Sequence, residues 1–68
     1  MNAEIISVGT ELLMGQIVNS DAAFIAKQLT GLGIDSYFQT VVGDNPGKIK
    51  EVIKIAESRS DLLIVTGG

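Results

Sequence analysis

Three short segments place glycine beside an oxygen-bearing side chain directly after an apolar run: "GTE" at residues 9–11, "GDN" at 43–45 and "TGG" at 66–68. If Glu11 and Asp44 face one another, a hard divalent cation such as magnesium can share them with phosphate oxygens. Gly67 and Gly68 can expose successive backbone N–H groups to an anion and permit its close approach. Thr10 and Thr66 add hydroxyls, but no local base accompanies them, so neither reads as a nucleophile. Each feature also has a plainer reading. Asp44 can hydrogen-bond its own turn, Glu11 can be a solvated loop residue, and "TGG" can be an ordinary turn. Gly9 and Gly43 fit strand exits. No GxGxxG or GxxxxGK[ST] follows any of the runs, which argues against the dinucleotide fingerprint and the P-loop.

The segments that must position these residues follow from hydrophobic pattern. Residues 4–8, "EIISV", read as a strand. The following "TELLMGQIVN" reads as a long loop, with Leu12, Leu13 and Met14 packing it down and Gly15 permitting a bend. A helix is expected from about Ser20 to Leu32, because Ala22, Ile25, Ala26, Leu29 and Leu32 recur on one face. Asn19, Ser20 or Asp21 can cap it; Gly31 and Gly33 can stop it. Phe24, off the centre of the stripe, is expected to seal an edge of the helix contact.

Residues 34–42, "IDSYFQTVV", read as a second strand. Asn45 is a natural N-cap with Pro46 at the first helical position. Ile49, Val52, Ile53 and Ala56 then form a second helical stripe, with Glu51 and Lys54 able to pair on its flank. "LLIV", residues 62–65, reads as a strand covered on both faces. Ser7 is assigned a structural role inside the first strand. Glu4, Asp35, Glu57 and Arg59 are read as boundary or surface charges.

Composition narrows the function classes. With 46% hydrophobic and 19% charged residues the chain is expected to pack rather than remain disordered. At 68 residues it is near the lower limit for independent folding. Net charge is -3, and the five basic residues form no patch, which argues against nucleic-acid binding. The absence of cysteine and histidine removes disulfides, thiolate sites and the commonest zinc ligand. No basic leader precedes an apolar run, and no stretch approaches the ~20 apolar residues of a membrane span. A cytoplasmic location is therefore the expectation.

Alternating strands and helices predict an α/β fold with a parallel sheet. Right-handed crossovers place the helices on opposite faces if the first strand is central, giving strand order 2-1-3. The three glycine-bearing turns then meet at the carboxyl edge, where such sheets bind ligands. Two helices give three buried strands too little cover, so a longer parent chain or a partner is expected.

At these turns the sequence resembles the amino-terminal part of the competence/damage-inducible protein A family, whose leading domain has the molybdopterin-binding, molybdenum-cofactor-biosynthesis fold. The matching pieces are "AEIISVGTELLMGQIVNSD", "GLGIDSYFQTVVGDN" and "SDLLIVTGG". The resemblance implies a three-layer α/β/α domain, of which residues 1–68 form the amino-terminal β-α-β-α-β portion, ending after the third strand. It also implies a phosphorylated small-molecule ligand at the carboxyl edge.

Carried over by position, Gly9, Thr10, Glu11 and Leu12 match the first-strand loop, Gly15 its glycine, and Asn19 the polar residue where the helix starts. Gly43 and Asp44 match the second-strand turn, and Thr66, Gly67 and Gly68 the beginning of the phosphate-binding turn. The implied activity is divalent-metal-dependent ADP-ribose pyrophosphatase, with Glu11 and Asp44 as catalytic and metal-holding residues. Gly9, Thr10, Thr66, Gly67 and Gly68 would then be ligand-binding residues. Many relatives add a nicotinamide mononucleotide deamidase domain, and homo-oligomers are a further expectation. The alternatives are a molybdopterin-binding or transfer domain using the same edge, and a non-enzymatic nucleotide-binding regulatory domain.

Overall fold

In the computed structural model, which describes residues 1–67, the chain runs β1 (Asn2–Val8), α1 (Thr10–Leu13), α2 (Ser20–Gly31), β2 (Asp35–Val42), α3 (Pro46–Glu57) and β3 (Leu62–Gly67). The strands form one parallel sheet in the order β2-β1-β3, as expected. Burial follows from that order. β1 is central, and its residues Ala3 to Ser7 are all buried.

Side chains alternate across a strand, so β1 feeds two cores. Ala3 and Ile5 join Ala22 and Leu29 of α2, with Ile25, Ala26, Ile34 and Ile64 around them. Ile6 joins Val42 and Ala56, with Val8, Ile49, Val52, Ile53 and Leu63 around them. The two longer helices therefore cover opposite faces, making three layers. Each core is small: Ile5 and Ile6 are its largest fully buried apolar side chains.

Both helix starts are capped by asparagine. Asn19 Oδ1 accepts from the Ala22 N–H, and Asn45 Oδ1 accepts from the Lys48 N–H, with Pro46 opening α3. The end of α2 is set by Gly33 rather than by Gly31, which is the last helical residue. Gly33 adopts φ 74°, and the N–H groups of Gly33 and Ile34 donate to the carbonyls of Thr30 and Leu29. This double closure satisfies carbonyls that the helix end would otherwise leave open.

Several expectations change. The segment after Gly9 is not wholly a loop: Thr10–Leu13 form one helical turn, with the N–H groups of Leu13 and Met14 donating to the carbonyls of Gly9 and Thr10. Leucine and methionine favour helix locally, and Gly15 at φ 75° ends the turn. Leu12 is half-buried, while Leu13 and Met14 are largely exposed, Leu13 resting the end of its side chain against Gly43. Phe24 is 65% exposed and seals nothing. Glu51 pairs with Lys48 instead of Lys54, at 3.4 Å between two exposed side chains.

The largest correction concerns Glu4 and Arg59, read from sequence as boundary or surface charges. Glu4 is 1% exposed, and its carboxylate accepts from Arg59 Nε at 3.0 Å, Arg59 Nη2 at 2.7 Å and Ser60 Oγ at 2.8 Å. The register of β1 against β2 shifts between Ala3 and Glu4, which leaves Tyr37 unpaired and sets Phe38 opposite Glu4. The guanidinium carbon of Arg59 then lies 3.6 Å from the centroid of the Phe38 ring. A carboxylate so deep in a central strand is stable there because it is paired and fully hydrogen-bonded.

Candidate functional site

The carboxyl edge gathers the residues that the sequence singled out. Past the last β1–β2 pair, the Gly9 N–H donates to the Val42 carbonyl at 2.9 Å. Glu11 then stands on α1, while Gly43 and Asp44 form the turn between β2 and α3. A cavity of about 230 Å³ lies between them, lined by Val8, Gly9, Glu11, Asp44 and Gly67. Both acidic residues thus line one space with Val8 of β1 and Gly67 of β3.

Local packing sets where Glu11 sits. A methyl group on Gly9 would lie 3.0 Å from Glu11 Oε1 and 3.3 Å from Leu12 Cδ1, so the carboxylate folds back over the glycine. At Gly67 an added methyl would meet nothing within 4 Å, which leaves room for a ligand to approach the backbone. Gly68 lies outside the described residues. Thr10 Oγ1 accepts from the Asp44 N–H at 3.2 Å, a contact that sequence reasoning did not anticipate.

Thr66 is separated from this group. Residues alternate along β3, so Thr66 lies on the α2 side, where it lines a smaller cavity of about 80 Å³ with Leu12, Asn19 and Asp21 among others. Asn19 has a second task beside its cap: its Nδ2 donates to Ser7 Oγ at 2.9 Å, tying the start of α2 to β1. Ser7 is thereby a buried, satisfied structural residue, as expected. A larger cavity, about 530 Å³, lies beside the edge between Leu13, Val42, Val52 and Ile55. It is mainly apolar and is lined by neither Glu11 nor Asp44.

Away from the edge, the Glu4 carboxyl is held below its ordinary value, first by the hydrogen bonds from Arg59 and then, against the opposing effect of burial, by Ser60. One signal could have exposed this pair in advance. A charged residue inside an apolar strand needs a partner, and Arg59 is the chain's one arginine.

Among the described residues, no group of three or more His, Cys, Asp or Glu side chains gathers to hold a metal ion. The carboxylates among the described residues lining the cavity at the edge are those of Glu11 and Asp44. No described helix is long and apolar enough to cross a membrane.

Residues 4–68 match the family model described as "Probable molybdopterin binding domain". The chain belongs to that family. Its relatives lie in the CinA branch. The "Putative competence-damage inducible protein" of Listeria welshimeri is 70% identical over 67 residues, covering 98% of this chain and 16% of that protein. The Lacticaseibacillus casei protein of the same name is 66% identical over 68 residues, 100% of this chain and 16% of its own length. A crystal structure of the protein CinA, of unknown function, from Thermoplasma acidophilum superposes with a TM-score of 0.91 at 39% identity. That match covers 94% of this chain and 38% of the other. The chain thus spans about one sixth of the length of these curated relatives. As a molybdopterin-binding-type domain of the CinA family, it has the resemblance, layers and strand order that the sequence implied.

Proposed function

We propose that this domain binds a phosphorylated pterin-type small molecule at the carboxyl edge of its sheet. The observation that carries the reading is the shared cavity of Gly9, Glu11, Asp44 and Gly67, reached from three strand ends. The description of the matching family supports a pterin ligand more directly than a nucleotide. At about 230 Å³ the cavity is smaller than the ~300–1,000 Å³ of sites that enclose a drug-sized ligand. It takes the phosphate end, with the remainder of the ligand lying across the strand ends. On this reading the chain is one part of a larger α/β domain, and segments like those of the longer relatives complete the site.

The donor chemistry fits a hard divalent cation. Magnesium is commonly held by one or two carboxylates together with waters and phosphate oxygens, and Glu11 and Asp44 supply such carboxylates. When bound, the cation would offset charge on phosphoryl oxygens and acidify a nearby water. Glu11 and Asp44 hold and orient; the open backbone at Gly67 admits the phosphate.

The same carboxylate pair favours a second reading, ADP-ribose pyrophosphatase. Water attacks one phosphorus, the bridging P–O bond breaks, and AMP and ribose 5-phosphate leave. Titrating the intact protein with molybdopterin and with ADP-ribose, in the presence of magnesium, separates the two. Pterin binding without ADP-ribose turnover supports the first reading; formation of AMP and ribose 5-phosphate supports the second. Binding of neither ligand contradicts both and favours a non-enzymatic regulatory domain.

A further inference from the structure

We propose that Thr10 is a positioning residue that sets Asp44 against Glu11, an inference that rests on the carboxylate site proposed above. Both acidic residues lie beyond the last ladder pair of β1 and β2, Val8 with Val42. Sheet pairing alone therefore leaves their relative placement open. α1 is a single turn with no side-chain cap, so it has little intrinsic persistence. The β2–α3 turn is equally short, closed by the Asn45 N–H donating to the Gly43 carbonyl at 2.8 Å.

Two contacts join these weak elements beyond the Gly9–Val42 hydrogen bond. The Asp44 N–H donates to Thr10 Oγ1, 34 residues away in sequence. The Leu13 side chain closes over Gly43, where an added methyl would lie 3.5 Å from Leu13 Cδ2 and 3.7 Å from Thr10 Oγ1. Thr10 thus touches the backbone of the Asp44 residue while adjoining Glu11 along the chain. Its hydroxyl accepts from Asp44, leaving its own proton and one lone pair for other partners. Thr10 acts here through the carboxylate pair rather than as a reacting group.

The test compares Thr10→Val, which keeps the shape and deletes the hydroxyl, with Thr10→Ser, which keeps the hydroxyl. Residue-resolved hydrogen exchange on the intact protein reads the Asp44 amide, and electron paramagnetic resonance titration with Mn2+ alone reads the site. In Thr10→Val the Asp44 amide should exchange about two- to tenfold faster, and Mn2+ affinity should fall by a similar factor, as loss of one hydrogen bond implies. Thr10→Ser should restore both. Unchanged exchange in Thr10→Val overturns the proposal, as does faster exchange with unchanged Mn2+ affinity. Failure of the unsubstituted protein to bind Mn2+ overturns the underlying carboxylate reading and this inference with it.

Discussion

Arg59 and Glu4, 55 residues apart, meet in a two-pronged ion pair at 2.7 and 3.0 Å that closes the amino edge of the sheet. The pair ties the turn after α3 to the central strand, and Ser60 completes the shell around the carboxylate. Nearby, the Asn2 N–H donates to Asp61 Oδ2, fastening the start of β1 to the same turn. The molecule therefore has a structural polar cluster at one end of the sheet and its candidate site at the other.

Removing the buried charge should destabilise the fold without touching the site. Glu4→Gln keeps the volume but gives Arg59 a neutral partner, and should cost on the order of 1–3 kcal/mol at neutral pH. Because the folded carboxyl is held below its ordinary value of 4.5, its contribution is fully present above that pH. The contribution is lost as pH falls through the lowered folded value. Urea unfolding at neutral and acidic pH should show the gap between unsubstituted protein and Glu4→Gln shrinking on acidification.

Gly33 should be far less replaceable than Gly31. Gly33→Ala forces a side chain into φ 74°, at a cost of about 1–2 kcal/mol. Gly31 lies within α2 with open space where a methyl group would go, so Gly31→Ala should be neutral or stabilising by up to about 1 kcal/mol. Thermal unfolding of the two variants should move in different directions or by clearly unequal amounts.

Much of this organisation is legible in sequence because it rests on repetitive signals. The β-branched Ile5, Ile6 and Val8, the two helical stripes and the Asn45–Pro46 start each follow from local chemistry. Parallel strands then bring residues 9–11, 43–45 and 66–67 to one edge. The turn α1 escapes such reading because four residues are too few to show a period. Thr66 parts from the carboxylates through strand alternation, which becomes informative only once β3 is known to extend past residue 65. The Glu4–Arg59–Phe38 cluster depends on a shifted register at Tyr37, and the Thr10–Asp44 contact on how two turns abut. The first shows in sequence only as a charge inside an apolar strand, and the second has no local signature.

Gly9 offers a way to disturb the site from its backbone. Its φ of 169° is extended and suits any residue, so Gly9→Ala should fold. The new methyl group would crowd Glu11 Oε1 at 3.0 Å, the mobile end of a side chain, and turn the carboxylate aside. Mn2+ affinity should fall about threefold or more, the scale of one weakened hydrogen bond, while the unfolding midpoint moves little. An unchanged affinity would place the Glu11 carboxylate outside the metal-holding set.

Asp44→Asn tests the central claim most directly. Asparagine keeps the turn's hydrogen-bonding capacity but removes the charge that a cation requires. Calorimetric titration of the intact protein with the ligand it binds, molybdopterin or ADP-ribose, should be run with magnesium present and folded protein matched by thermal unfolding. The account predicts unchanged unfolding and an affinity lower by roughly tenfold or more, the scale of a lost charge-assisted contact. Equal affinity and equal magnesium dependence in both proteins would contradict it.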